Sequence, residues 1–239
     1  MKSVILLLFV SIGSIYWVQS GEKSKTSAKA NLKDLDTFSP AEKLRQYRKW
    51  DFKTKRDTSV KDLFPTIPEK EFDGFFKAYP EYISDGFDFP VGKPNAEGYY
   101  KAQLFGENKH LGEDWNGVGG GNTDLGDPVF SISNGLVTFS RDVCCGWGKV
   151  IRVVHRLPNH PEFKYIEAVY AHMHNVNVKA GDLIKRGQHI GTIGNAGGRY
   201  HAHLHFEMRN FINMSLGPGY SDDVYGYENP SDFISKNRP

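Results

Sequence analysis

The chain has 239 residues, of which 39% are hydrophobic and 24% are charged, and its formal net charge is +2. This length suits one ordinary domain with appendages. Acidic and basic side chains nearly balance, which excludes the strong basic surface typical of nucleic-acid-binding proteins, so we expect no nucleic-acid partner. Contact with an anionic polymer such as a cell wall is compatible with this charge.

The N-terminus has the features of an export signal. Lys2 precedes an apolar run over residues 4–10, and Val18-Gln19-Ser20 fits a small-residue cleavage pattern. The apolar run is too short and too interrupted for a typical membrane span. We therefore predict that residues 1–20 are a signal peptide and that the chain is exported, to a periplasmic, secreted or cell-wall-associated location, with no stable membrane span after cleavage. An uncleaved anchor is the alternative.

Residues 21–98 are predicted to be an N-terminal extension. It begins as a polar, Lys-rich leader, and Ser39-Pro40-Ala41-Glu42 then predicts the start of a helix over residues 39–50. A second helix is expected over residues 69–78, after Pro68. Proline-rich segments suggest an irregular wrap around these helices, and we interpret its aromatic side chains as packing groups rather than binding groups.

From residue 99 onward, short β-type runs alternate with turns rich in Gly, Asn and Asp. We expect a mainly β fold: an antiparallel β-sandwich or open barrel with a small, partly helical N-terminal extension. The first two candidate strands flank Asn134 and are expected to form a meander. The candidate strands cover residues 129–133, 135–140, 149–155, 165–172, 182–185, 189–193 and 202–209.

Cys144 and Cys145 are the only cysteines, and they are adjacent. A disulfide between neighbouring residues would be strained, because consecutive Cα atoms are about 3.8 Å apart. We interpret the two cysteines as small, partly buried thiols in a turn, with a redox function as the alternative.

The run His201-Ala202-His203-Leu204-His205-Phe206-Glu207 carries the strongest functional signal. In a strand, alternate side chains share one face, so three imidazoles and a carboxylate would lie together, opposite an apolar face. Neutral imidazole is the commonest metal ligand among side chains. The pattern therefore predicts a metal site, and a polar strand face exposed to water is the alternative.

A zinc hydrolase needs three protein ligands and one open position. His110 and Asp114 offer an imidazole and a carboxylate four residues apart, with Gly112 giving the backbone freedom to bend between them. Asp124 and Asp127 are rival carboxylates. The segment 170–174 adds His172 and His174 at strand spacing.

These segments together resemble the lysostaphin/LytM-type zinc metallopeptidases, which cut peptide bonds in bacterial peptidoglycan. The resemblance covers residues 101–209 in order and spacing, and its motifs are much more specific together than singly. The matching segments are His110-x-Gly112-x-Asp114, residues 126–129, 134–137, 170–173 and 181–191, and His203-Leu204-His205-Phe206-Glu207.

The resemblance implies that His110, Asp114 and His205 bind Zn²⁺ and that His172 and His203 are the catalytic residues beside the open coordination position. Which of the two histidines is the general base stays open. Glu207 would orient a ligand or belong to a structural ion pair. We expect His201 and His174 to lie along the groove rather than to bind metal, and the loop over residues 117–121 to shape the groove floor or a lid.

The resemblance also implies a catalytic domain over residues 99–239, ending in a tail whose Phe233 and Ile234 pack inward. It implies a zinc metalloendopeptidase that acts on peptidoglycan stem peptides or cross-bridges. The alternatives are a non-catalytic wall-binding or regulatory module of the same fold, a zinc carboxypeptidase on the same polymer, and an endopeptidase acting on another protein. Part of the region 21–98 is a candidate cover for the groove.

Overall fold

The computed structural model describes residues 67–239. The predicted signal peptide, the polar leader and the helix over residues 39–50 lie outside the described residues. Within the described part, no helix is both long and apolar enough to cross a membrane.

The described residues form two antiparallel sheets. The larger sheet has the order β1-β2-β9-β6-β5-β4-β7, with β10 paired to β9, and the smaller sheet pairs β3 with β8. This arrangement confirms the predicted mainly β, antiparallel fold. The strands are β1 (Tyr99–Gln103), β2 (Glu113–Gly117), β3 (Pro128–Phe130), β4 (Gly135–Asp142), β5 (Lys149–Arg156), β6 (Tyr165–Met173), β7 (Leu183–Ile184), β8 (His189–Thr192), β9 (Leu204–Arg209) and β10 (Tyr227–Glu228).

Two α-helices flank the sheets, and three single helical turns connect them to the strands. Helix α1 (Glu69–Ala78) has the bounds that the sequence predicted, and helix α2 (Pro230–Lys236) follows β10. Glutamates in the first turn of α1 and a lysine in its last turn interact favourably with the helix dipole and stabilise the helix. The connecting turns are Pro80–Tyr82, Gly92–Ala96 and Glu107–Lys109.

Helix α1 packs its phenylalanine face on the larger sheet. Phe72, Phe75 and Phe76 are buried and form one cluster with Leu136 of β4 and Tyr165 of β6. Their spacing puts them on a single helix face. The interpretation of these aromatics as packing groups is therefore confirmed. The domain boundary at residue 98 stays a prediction.

The predicted meander around Asn134 is wrong. Strand β3 pairs with β8 in the smaller sheet, whereas β4 pairs with β5 and β7 in the larger one. The Asn134 amide donates to the carbonyl oxygen of Ile83 and accepts from the backbone N–H of Arg186, at 3.0 Å each. The segment therefore connects the two sheets instead of closing a hairpin.

The interpretation of the two cysteines as partly buried thiols is also wrong. Cys144 and Cys145 are exposed and form a disulfide in the turn between β4 and β5. Both residues have positive φ, 60° and 52°, and this tight turn brings the two sulfur atoms together.

Strand β9 lies between β2 and β6 and carries the histidine-rich motif. Its His205 is the direct partner of Asp114 on β2 and of Ala171 on β6. At the C-terminal end, Phe233 and Ile234 of α2 are buried in the main core, as predicted. The backbone register thus fixes which side chains meet at this point of the sheet.

Candidate metal centre and groove

Three side chains from distant parts of the sequence converge on one point. His110 follows the helical turn before β2, Asp114 lies on β2, and His205 lies on β9. The His110 Nε2 and His205 Nδ1 atoms are 3.0 Å apart, His205 Nδ1 is 3.0 Å from Asp114 Oδ1, and His110 Nε2 is 3.4 Å from the same oxygen. Among the described residues, these three form the only group able to hold a metal ion.

The spacing of these three atoms fits zinc. Ligands about 2.0–2.1 Å from a tetrahedral zinc ion lie roughly 3.3 Å from one another. The observed separations of 3.0 to 3.4 Å match three corners of such a tetrahedron. Two imidazole nitrogens and one carboxylate oxygen are also a ligand set that zinc accepts.

Glu207 fixes the orientation of the His205 ring. Its Oε1 lies 3.0 Å from His205 Nε2, and its Oε2 accepts from Nε of Arg209 at 2.8 Å. Because a carboxylate can only accept, His205 Nε2 carries the hydrogen, and the lone pair of the neutral ring is on Nδ1, facing His110 and Asp114. Glu207 is thus both a ligand-orienting group and half of a buried ion pair, the two interpretations that the sequence left open.

Burial opposes charge at this cluster, but its hydrogen bonds overcome that cost. Burial works against the charged form of His205, and hydrogen bonds to Asp114 and Glu207 nevertheless raise its pKa to about 9. Burial also opposes ionisation of Asp114, but hydrogen bonds to His110 and His205 hold its pKa well below the usual range. The site therefore favours a positive charge between these side chains, whether from a proton or a metal ion.

His172 and His203 lie beside the three converging side chains. Their ring centroids are 4.7 Å apart, and His203 Nε2 is 3.8 Å from Asp114 Oδ1. The backbone of His172 has a left-handed φ of 61°, and its N–H donates to the carbonyl oxygen of Trp147. Burial and the neighbouring His205 and His203 lower the pKa of His172 to about 3, so this imidazole is neutral at neutral pH.

A cavity of about 250 Å³ opens beside these imidazoles. Trp147 and Tyr220 form part of its wall: Trp147 contacts the His205 ring edge-to-face, and Tyr220 lies 5.1 Å from the His110 ring. A larger groove of about 670 Å³ shares Asp114, Tyr200 and His203 with this cavity. Residues 67–98, the described part of the predicted extension, line neither space.

Gly112 has a different role from the expected one. A Cβ atom at this position would lie 2.5 Å from the carbonyl oxygen of Phe206 and 2.8 Å from Cγ of Glu207. Glycine is needed here because β9 passes so close, and its φ is not in the left-handed region.

The other candidates from the sequence lie apart from the converging ligand atoms. Asp124 accepts from the Gly117 backbone N–H, and Asp127 accepts from the Tyr99 hydroxyl, so neither carboxylate competes as a ligand. His201 is exposed on the groove edge, as expected. His174 instead lines a separate depression beside the disulfide, because the left-handed turn at His172 ends the regular alternation of the strand.

Several residues that line the cavity and the groove were not predicted from the sequence. Trp147, Tyr200 and Tyr220 surround the imidazoles, and Arg199 lies in the larger groove. Trp147 and Tyr220 each follow a glycine in an irregular segment, and an aromatic residue in such a position was the available signal. The loop over residues 117–121 does not line either space, but the adjacent Asn122 does.

Known proteins are similar to part of this chain. Lipoprotein NlpD of Yersinia enterocolitica is 32% identical over 93 residues, which cover 39% of this chain and 87% of that protein. Glycyl-glycine endopeptidase ALE-1 of Staphylococcus capitis is 34% identical over 98 residues, covering 38% of this chain and 25% of ALE-1. The structure of the antimicrobial peptidase lysostaphin from Staphylococcus simulans aligns at 26% identity and a TM-score of 0.44, covering 58% of this chain and 50% of that one.

Residues 109–217 match the family described as peptidase family M23. This stretch contains the three converging side chains, His110, Asp114 and His205, together with His172 and His203. Together with the likeness to NlpD over most of that protein, the match leads to one conclusion: the chain belongs to peptidase family M23.

Proposed function

We propose that this chain is an exported zinc metalloendopeptidase that hydrolyses peptide bonds in peptidoglycan, within stem peptides or cross-bridges. One observation carries the proposal: three ligand atoms 3.0 to 3.4 Å apart, with two further imidazoles beside them at the edge of an open groove. The relative ALE-1, described as a glycyl-glycine endopeptidase, supports a peptide bond as the target.

His110, Asp114 and His205 would hold the zinc ion, as the sequence resemblance implied. Zinc at this place supplies a positive charge that lowers the pKa of a water molecule and polarises a peptide carbonyl. Glu207 keeps His205 in the required tautomer through the hydrogen bond at Nε2. Arg209 in turn donates a hydrogen bond to Glu207, so a buried ion pair stabilises the orientation of the His205 ring.

His203 is suited to accept the proton of the attacking water. Its Nδ1 lies 2.8 Å from the carbonyl oxygen of His201, and because a carbonyl can only accept, Nδ1 carries the hydrogen. The lone pair of neutral His203 is therefore on Nε2, the atom nearer Asp114. His172, whose ring lies against His203 and is neutral at neutral pH, would donate a hydrogen bond to the developing oxyanion. His203 would then pass the proton that it took from the water to the leaving amine.

Export is proposed from the N-terminal signal pattern, and the site of action follows from the substrate. Mass spectrometry of the chain purified after export should give an N-terminus at residue 21. A retained N-terminus would instead favour the uncleaved anchor.

The function is tested by digesting purified peptidoglycan with this exported chain, with bound metal measured and products identified by mass. Two variants accompany it: His205→Ala removes a ligand, and His189→Ala removes an exposed histidine of β8 outside the site. We expect about one zinc per chain and cleaved peptide cross-links for the wild type and His189→Ala, with neither for His205→Ala.

Other outcomes would contradict the proposal in distinguishable ways. Release of single terminal residues would indicate a carboxypeptidase. Cleavage of a protein substrate but not of the wall would indicate a different target. A folded chain without zinc or cleavage would favour a non-catalytic module.

A further inference from the structure

The two ends of the groove differ in charge. Beyond the imidazoles, the smaller cavity is walled by Gly146, Trp147 and the segment 218–220, which carry no formal charge. On the other side, the larger groove is lined by neutral amides and one permanent cation, Arg199. A peptide lying across the imidazoles would therefore meet a positive charge on one side only.

Arg199 is available to a ligand. The residue is exposed, and within residues 67–239 its guanidinium makes no hydrogen bond or ion pair. The only carboxylate lining the larger groove is Asp114, whose ion-pair partners are His110, His203 and His205. Arg199 thus has no internal counter-ion in the groove.

The loop that carries Arg199 is held in place at both ends. At its start, the carbonyl oxygen of Asn195 accepts from the backbone N–H groups of Gly198, Arg199 and Tyr200, and its side-chain oxygen accepts from Gly198. At its end, the backbone N–H of Ala202 donates to Asn122 at 2.8 Å, and its carbonyl accepts from Asn116 at 3.2 Å. The loop thus presents Arg199 from a fixed backbone, which reduces the ordering cost of binding.

We propose that Arg199 is a specificity-determining residue that binds a free carboxylate on the substrate peptide, on the His203 side of the imidazoles. This deepens the proposed function, on which it rests, by naming the substrate class: a peptide with an acidic group close to the cleaved bond. A guanidinium pairs with a carboxylate through two parallel hydrogen bonds. The amides of Asn116, Asn122 and Gln103 line the same groove and offer neutral partners for the peptide backbone.

The carboxylate could be a side chain or a chain terminus, and the test separates these sources. Three dansylated pentapeptides have the sequence Ala, X, Lys, D-Ala, D-Ala and differ at X and at the C-terminus. In the first, X is D-Glu and the C-terminus is an amide. In the second, X is D-Gln and the C-terminus is an amide, and in the third, X is D-Gln and the C-terminus is free. Each is titrated against the full chain by fluorescence at low temperature, with mass spectrometry verifying that the peptide stays intact.

We expect one of the two acidic peptides to bind about five- to tenfold more tightly than the doubly amidated one, as for a charge-assisted pair at an accessible site. Arg199→Gln should abolish this preference and leave the affinity for the amidated peptide unchanged. Arg199→Lys should restore only part of it. Lys179→Gln, which removes the same charge from an exposed site outside the groove, should keep it.

Equal binding of the three peptides, no detectable binding of any up to millimolar concentration, or a preference that survives Arg199→Gln would overturn the inference. The readout is binding, so it is independent of the wall-digestion assay. A preference lost in Arg199→Gln without wall cleavage would refute the proposed function alone, and wall cleavage without a preference would refute the role of Arg199 alone.

Discussion

Replacing Glu207 by glutamine tests how the buried ion pair supports the metal centre. Glu207 is fully buried and uses both oxygens, one on His205 Nε2 and one on Arg209. Arg209 is also fully buried and donates to the carbonyl oxygens of Ser215 and Leu216. Glutamine keeps the size of the side chain but removes its charge and leaves one accepting oxygen in place of two.

Two losses of different kind follow from this geometry. The buried Arg209 charge loses its counter-ion, and breaking a buried pair in this way costs about 3–5 kcal/mol in the free energy of unfolding. The lower end is expected, because the amide oxygen of glutamine can still accept from Arg209. His205 then loses its acceptor at Nε2, and loss of such a supporting group lowers metal affinity about 10- to 100-fold.

Two measurements on the same protein separate these losses. Urea unfolding of the metal-free chain gives the change in stability, and competition with a chromophoric chelator gives the zinc dissociation constant. Glu167→Gln is the matched control, since Glu167 is a buried carboxylate on β6 that accepts from Arg152 and does not contact the ligand atoms. The control should lose stability similarly and keep the zinc affinity of the wild type.

Unchanged zinc affinity in Glu207→Gln would refute the reasoning, because Glu207 would then be only a structural partner of Arg209. An equal loss of zinc affinity in Glu167→Gln would also refute it, since the effect would then follow from general destabilisation. Only a loss of affinity confined to Glu207→Gln supports the orienting role.

Burial lowers the pKa of His155 to about 4, and the unfolded value is near 6.5, so the folded state resists protonation of this imidazole. The contribution of His155 to the free energy of unfolding is therefore fully present above pH 6.5 and is lost as the pH drops towards 4, by about 2 kcal/mol between pH 7 and 5. Urea unfolding of the metal-free chain at these pH values should show a loss in the wild type that is about 2 kcal/mol smaller in His155→Gln, because His172, whose pKa is also lowered, contributes to the loss in both chains. Gly112→Ala should destabilise the fold by about 1–3 kcal/mol and weaken zinc binding, because the added Cβ would collide with the Phe206 carbonyl and Glu207. Thermal unfolding measures the loss of stability, and chelator competition measures the loss of zinc affinity. A variant with the stability and the zinc affinity of the wild type would contradict the predicted collision. Phe75→Ala should cost about 3–5 kcal/mol in the urea assay with no change in zinc affinity, because Phe75 is buried in the cluster around α1, which contains none of the three ligand residues.

The fold and the site were predictable from the sequence where one regular strand or helix contained the whole pattern. The alternation from residue 203 to 207 predicts that His205 and Glu207 share a strand face, and in the structure they do so with a direct hydrogen bond. The apolar spacing in α1 likewise predicts a helix with the correct bounds. In both cases the periodicity of the local backbone is enough to predict which side chains share a face.

Contacts between segments far apart in the sequence were not predictable in this way. Nothing near Tyr220 in the sequence indicates that its ring lies against His110, because their contact depends on an isolated bridge between segments 110 residues apart. The prediction of a meander around Asn134 was wrong for the same reason. A turn-forming residue indicates that the chain bends, but the long-range hydrogen bonds of Asn134 determine which sheet the next strand joins.

The ligand atoms and the loop that carries Arg199 depend on different parts of the fold, and this separates the proposed chemistry from the proposed specificity. His205 and Asp114 are direct neighbours across β9 and β2, so backbone register fixes the distance between their ligand atoms. Arg199 instead lies on a loop whose conformation depends on its own hydrogen bonds to Asn195. Under the proposed function, we expect a change in that loop to alter which peptide binds without moving the ligand atoms. For this reason the match to a peptidase family bears on the reaction, and the charge of the groove bears on its substrate.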